Sequence, residues 1–354
     1  MTYRTLPGVE RADPGGPGLS AALRYDRTRS PLAPSTGRLE RLVPSKLKTL
    51  TAFGIIYLVW GSTYFAIRVG VREVAPLLLA AIRFTVAGAA MCAWALARRQ
   101  RLPTLRQWGS IVLLAFLMFV IDYGLLFTAE RQVHSGMAAV MLATIPAFTA
   151  VAEILWLRTQ RLTLRLAAAL IVGLGGVVVL VDPSVGLSGA PIYWLSALGL
   201  VIAALSWSIA SVLMRRLPLP PAKTMTAGTE MLAGGLLLGV AALLFGQERG
   251  FDPRAVSIQA WVALGYLIVA GSLLAFGAYT WLIHHESPTK VGTYAYVNPL
   301  VAVIIGYVFG SESLDARTVF GTVLVIASVV IIITGKTRAI AAAPAVPPLR
   351  TEPS

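Results

Sequence analysis

From Leu50 onward the chain alternates apolar runs with short polar breaks, and this rhythm constrains the fold more than any single motif. The runs cover about 50–68, 76–97, 108–129, 134–156, 163–181, 191–213, 225–245, 259–282, 289–309 and 316–334. Each is roughly 19 to 23 residues long, the length of helix that crosses a hydrocarbon layer about 30 Å thick. The residues between them are breakers such as Arg101–Leu102–Pro103, Asp182–Pro183 and Leu217–Pro221. With 56% hydrophobic and only 13% charged residues, a soluble chain of this size would lack polar cover for its surface. The pattern predicts an all-α polytopic membrane protein of ten transmembrane helices, with the lipid bilayer as its solvent.

Residues 1–47 are rich in Pro, Gly, Ser and Arg and read as a disordered basic cytoplasmic tail; residues 336–354 read as a second disordered tail. The net charge of +14 does not imply a nucleic-acid partner, because the basic residues sit in tails and short loops rather than on one folded face. With the N-terminus inside, 23 of the 30 lysines and arginines fall in cytoplasmic segments and six in the opposite ones, with Arg83 inside a span. That asymmetry predicts both termini in the cytoplasm and an even number of crossings. The single cysteine, Cys92, excludes an internal disulfide framework and a cysteine metal cluster. His284–His285–Glu286 lacks metal-ligand spacing, because adjacent helical residues point about 100° apart. No phosphate-binding loop, nucleophile elbow or dinucleotide fingerprint occurs. No metal, cofactor or enzymatic activity is therefore expected, and the oligomeric state stays open between monomer and homodimer.

A shift of 153 residues lays 107–146 over 260–299 without a gap, pairing Trp108 with Trp261, Leu114 with Leu267, Gly124 with Gly277 and Pro146 with Pro299. A shift of 147 pairs Trp60 with Trp207, Arg68 with Arg215, Ala80 with Ala227 and Gly88 with Gly235. The register argues for a duplicated unit. The expected repeats, 50–182 and 191–335, have five spans each, so the second must enter the membrane from the opposite side. Inverted repeats of this kind serve alternating access about a midplane site. Pro146 and Pro299 are expected to break their helices at matching depth. An interior proline deletes one ladder bond and displaces the carbonyl four residues back, and in lipid that carbonyl needs a partner.

Several stretches carry a family resemblance. Leu58–Val59–Trp60–Gly61–Ser62–Thr63–Tyr64, followed by Pro76 and Ala81–Ile82–Arg83–Phe84, resembles the opening helices of an EamA-type transporter of the drug/metabolite transporter superfamily. So do the Pro146 helix, its twin with Asn298–Pro299, and Gly310–Ser311–Glu312–Ser313–Leu314. The likeness spans about 50–335. It departs at Thr159–Gln160–Arg161–Leu162, where the family often has a glutamate. The resemblance implies a multi-pass inner-membrane secondary transporter that exports a small metabolite or amino-acid-like solute. A drug-efflux carrier, a passive channel and, behind these, a membrane-embedded enzyme are the alternatives.

Arg83 is expected about 10 Å inside its span at ~1.5 Å per residue, with Asp122 at similar depth on the third helix. Their facing one another would let the guanidinium fork hold a substrate carboxylate, or fix two helices as an ion pair. Trp60, Tyr64, Tyr123, Trp207 and Tyr294 lie inside spans rather than at their ends, and are expected to wall a cavity or to pack between helices. Asn298 brings amide donors and acceptors to mid-depth. Glu153 and Glu230 are candidates for proton coupling, against a plain pairing with loop arginines. Glu130 and Arg131 read as solvated turn residues.

Overall fold

The computed structural model describes residues 46–152, 154, 163–180, 191–286, 291–292, 294–311 and 315–341. Glu153 and the loops bearing Gln160 and Glu312 lie outside the described residues. The helices are α1 (Lys46–Val71), α2 (Pro76–Ala97), α3 (Leu105–Ala129), α4 (Ser135–Ala152) and α5 (Leu164–Leu180). They continue as α6 (Pro191–Leu213), α7 (Lys223–Leu244), α8 (Ile258–Ile283), α9 (Tyr294–Gly310) and α10 (Ala316–Ala341). No strand occurs among the described residues.

Local chemistry sets several of these boundaries. Pro76 opens α2, where its missing N–H costs no ladder bond. Gly246, at φ 65°, follows the end of α7 in the left-handed region that favours glycine. Thr104 and Ser257, which are matched by the 153-residue shift, cap α3 and α8. The Thr104 hydroxyl accepts from the Gln107 N–H at 3.4 Å and the Ser257 hydroxyl from the Ala260 N–H at 3.3 Å. Ser257 also reaches across to the α1–α2 turn. Its hydroxyl and N–H donate to the Glu73 carboxylate at 2.5 and 2.6 Å, and these bonds hold the Glu73 carboxyl below the ordinary carboxylate range.

Seven of the described helices, α1–α4 and α6–α8, are long and apolar enough to cross a membrane. Three further apolar stretches, Leu164–Gly173, Val297–Gly310 and Val319–Ser328, are shorter. Large apolar side chains face outward along the bundle, among them Leu58, Trp94, Leu236, Leu243, Phe309 and Phe320. This is the inverse of a soluble surface and suits contact with lipid.

Small residues decide how the helices meet. A Cβ on Gly88 would strike the backbone nitrogen of Leu232, and one on Gly235 the backbone nitrogen of Thr85. Gly228 backs onto Cys92 and Gly239 onto Ala81. Residue numbers fall along α7 as they rise along α2, so the two helices run antiparallel. The contact is also reciprocal: a shift of 147 carries Thr85 onto Leu232 and Gly88 onto Gly235, as a two-fold relation requires. α5 and α10 meet the same way, Gly173 against Ser328 and Gly176 against Val325. Around these pairs α1 packs on α8 and α9, while α6 packs on α3 and α4.

Candidate functional site

The centre of the bundle is an aromatic cluster on which both sets of helices converge. α1 and α6 bring Trp60 and Trp207 edge to face at 6.0 Å. Tyr279 of α8 lies 5.1 Å from Trp60 and 5.7 Å from Trp207, and Tyr294 of α9 lies 5.4 Å from Trp60. Nothing in the 116–123 sequence signals a local change in helix type, yet α3 turns π-helical over Phe116–Tyr123 and α8 over Leu267–Leu274. A π turn disturbs the regular ladder and marks functional sites in many helices. Here each π segment gains a bond from the other set of helices. The Trp60 indole N–H donates to Gly271 O at 3.1 Å, and the Ser206 hydroxyl donates to Leu117 O at 2.8 Å.

A small cavity of about 40 Å³ adjoins this cluster. Of the residues singled out from sequence, Trp60, Tyr64, Asp122, Tyr123, Trp207, Tyr294 and Asn298 line it together. Thr63, Leu126, Leu142 and Ile145 complete the wall. Sequence reasoning missed these four and also Tyr279, the counterpart of Leu126 under the 153-residue shift.

The two prolines behave differently. α4 is interrupted at Ala143–Thr144, just before Pro146, and resumes at Ile145. The Thr144 hydroxyl turns back to Met141 O at 2.7 Å, and the Ser208 hydroxyl of α6 donates to Ile145 O at 2.9 Å. Leu142 and Ile145, on either side of the interruption, face the cavity. The expected break at Pro299 is absent: α9 runs unbroken from Tyr294 through it to Gly310. Pro299 sits in the second turn, where one ladder bond is lost, and α9 packs closely on α1 there. Gly61 lets Val301 approach, and the nitrogen end of the Asn298 amide faces carbonyls. Its nitrogen donates to Ile56 O (3.2 Å), Tyr57 O (3.0 Å) and Tyr294 O (3.3 Å).

Arg83 and Asp122, expected to face each other, do not form an ion pair. Arg83 is fully buried outside the cavity wall. Its Nε donates to the Ser272 hydroxyl at 2.9 Å, in the π segment of α8, and its guanidinium lies over the rings of Phe84 (4.6 Å), Tyr123 (5.2 Å) and Phe127 (5.8 Å). Gly271 gives it room, since a Cβ there would come 2.8 Å from Nη2. Asp122 instead faces the cavity at 2% exposure, and its Oδ1 has no hydrogen-bond partner. Glu230, on α7, is fully buried with neither oxygen hydrogen-bonded. Glu130 is not solvated as expected but fully buried, because the chain folds back over the end of α3. Arg68 donates to the Glu130 carbonyl at 3.2 Å and to that of Val133.

Buried Arg83, Asp122 and Glu230 inside an apolar helical bundle mark a functional membrane protein rather than an anchor. The profile of the EamA-like transporter family matches residues 49–182 and again 194–334, and this match makes the class of the chain a membrane transporter. The inner membrane transporter YedA of Escherichia coli (strain K12), itself uncharacterized, is 36% identical over 283 residues, covering 79% of this chain and 89% of its own. Protein PecM of Dickeya dadantii is 26% identical over 279 residues, covering 77% of this chain and 88% of its own. One crystal structure, 22% identical, shares the fold with a TM-score of 0.59 over 83% of this chain and 99% of that one. The chain belongs to the EamA-like transporter family of the drug/metabolite transporter superfamily.

Proposed function

We propose that the chain is an inner-membrane secondary exporter that carries a small organic metabolite or amino-acid-like solute by alternating access through the cavity beside Trp60 and Trp207. In this reading it crosses the membrane ten times as two five-helix repeats, 50–182 and 191–335, of opposite topology, with both termini cytoplasmic. The observation that carries the proposal is the reciprocal antiparallel packing of α2 on α7. A two-fold axis lying across the helices relates a unit to an upside-down copy of itself, and rocking about that axis exposes a central site to each side in turn. Export as the direction rests on family membership. Glu230 and Glu153 are the candidates for carrying a proton in exchange.

Counterflow in proteoliposomes tests the carrier reading. Vesicles loaded with a metabolite panel should show uptake of labelled solute accelerated by the same solute inside. Flux without such trans-stimulation would make the protein a passive channel.

A further inference from the structure

The cavity's own charge points to the sign of its solute. Among the described residues, Asp122 is the one charged residue lining the cavity. It is 2% exposed, its Oδ1 lacks a hydrogen-bond partner, and among the described residues it makes no ion pair. A buried carboxylate left in this state is costly unless a cation or donors meet it or it takes up a proton. Arg83 makes no ion pair with Asp122: it lies outside the cavity lining, with Nε on Ser272 and its guanidinium over three aromatic rings, Nη1 and Nη2 having no hydrogen-bond partner.

The remaining walls favour the same sign. Five of them are aromatic, Trp60, Tyr64, Tyr123, Trp207 and Tyr294, and ring faces attract cations, most strongly where water is excluded. Several donors that an anion would require are already committed: the Trp60 indole to Gly271 O, the Thr63 hydroxyl to Trp60 O, and the Asn298 amide to carbonyls of α1 and α9.

We propose that the solute selected here is an organic cation, an ammonium or alkylated ammonium group, seated against the Asp122 carboxylate and boxed by the faces of the surrounding aromatic rings. This rests on the carrier reading for its biological role, and it reverses the sign that an Arg83-centred site would imply.

The test uses the full chain in nanodiscs and a series of organic ammonium ions, from tetramethylammonium and choline to phenethylammonium. Each is paired with a neutral isostere such as 3,3-dimethylbutanol for choline, and binding is followed by titration calorimetry. At least one ammonium should bind about tenfold or more tighter than its neutral partner. Asp122→Asn should remove that preference while leaving the neutral ligand's affinity unchanged, and Asp122→Glu should restore part of it. Monodispersity on size exclusion checks that the variants fold. If no ammonium outbinds its isostere, or if Asp122→Asn keeps the preference, the assignment is overturned. Counterflow separates the two readings: trans-stimulation by neutral or anionic solutes alone sinks the cation and spares the carrier. Cation flux without trans-stimulation spares the cation and sinks the carrier.

Discussion

The first five helices and the last five share a backbone plan and differ where chemistry is placed. α2 and α7 coincide end to end under a shift of 147, and the caps of α3 and α8 under a shift of 153. Both third helices carry a π segment, and each is bonded by a side chain from the other set. The side chains then break the symmetry. Arg83 in α2 is matched by Glu230 in α7, Asp122 by Ala275 and Tyr64 by Ser211. Asp122 and Tyr64 line the cavity, while their counterparts Ala275 and Ser211 are not among its lining residues. Repetition builds the frame, and departure from repetition makes a site with a polarity.

The strongest way to break the comparison is at the α2–α7 contact. Gly88→Val and Gly235→Val each place a side chain on partner backbone, and each should cost about 3 kcal/mol or more. If the relation is reciprocal, their losses of monodisperse protein on size exclusion should be alike. Gly239→Ala, whose Cβ would lie 3.9 Å from that of Ala81, should change thermal stability little. A large loss there would sink the packing argument.

Smaller effects sharpen the π segments. Trp60→Phe strands Gly271 O and should cost about 2 kcal/mol, while Ser206→Ala strands Leu117 O and should cost about 1 kcal/mol. Thermal melts in detergent check both, and a neutral pair would mean that the π carbonyls find other partners. The smallest effects are at the caps. Thr104→Ala and Ser257→Ala should each cost about 1 kcal/mol, with an excess at Ser257 because Glu73 also loses the hydroxyl donor while keeping the backbone N–H of residue 257. That excess has a definite pH sign. A carboxyl depressed in the folded state stabilises fully above the ordinary carboxylate range and stops doing so as pH falls through its lowered value. Melts from neutral to acid pH should show the Ser257 excess fading. A constant excess would separate Glu73 from the effect.

Much of this was legible in the residues. Hydropathy placed the apolar runs and two fixed shifts related the halves, because run length and repeats are properties of neighbouring positions, whereas the caps at Thr104 and Ser257 emerged only in the structure. Seven of the eight residues proposed to contact substrate line one cavity, since polar and aromatic groups well inside an apolar span have few places to go except inward. Arg83 was the exception. Depth along a helix is readable from spacing, but the direction of a side chain depends on how the helix is rotated against its neighbours.

What the sequence determined by itself is therefore the membrane class, the family and the duplicated plan, all carried by local pattern. Only the tertiary structure decided that Arg83 pairs with Ser272, 189 residues away, that α9 stays whole at Pro299 while α4 parts at Thr144, and that the charge left facing the cavity is Asp122. Those outcomes rest on contacts between residues far apart in the chain, and such contacts exist only once distant helices have met.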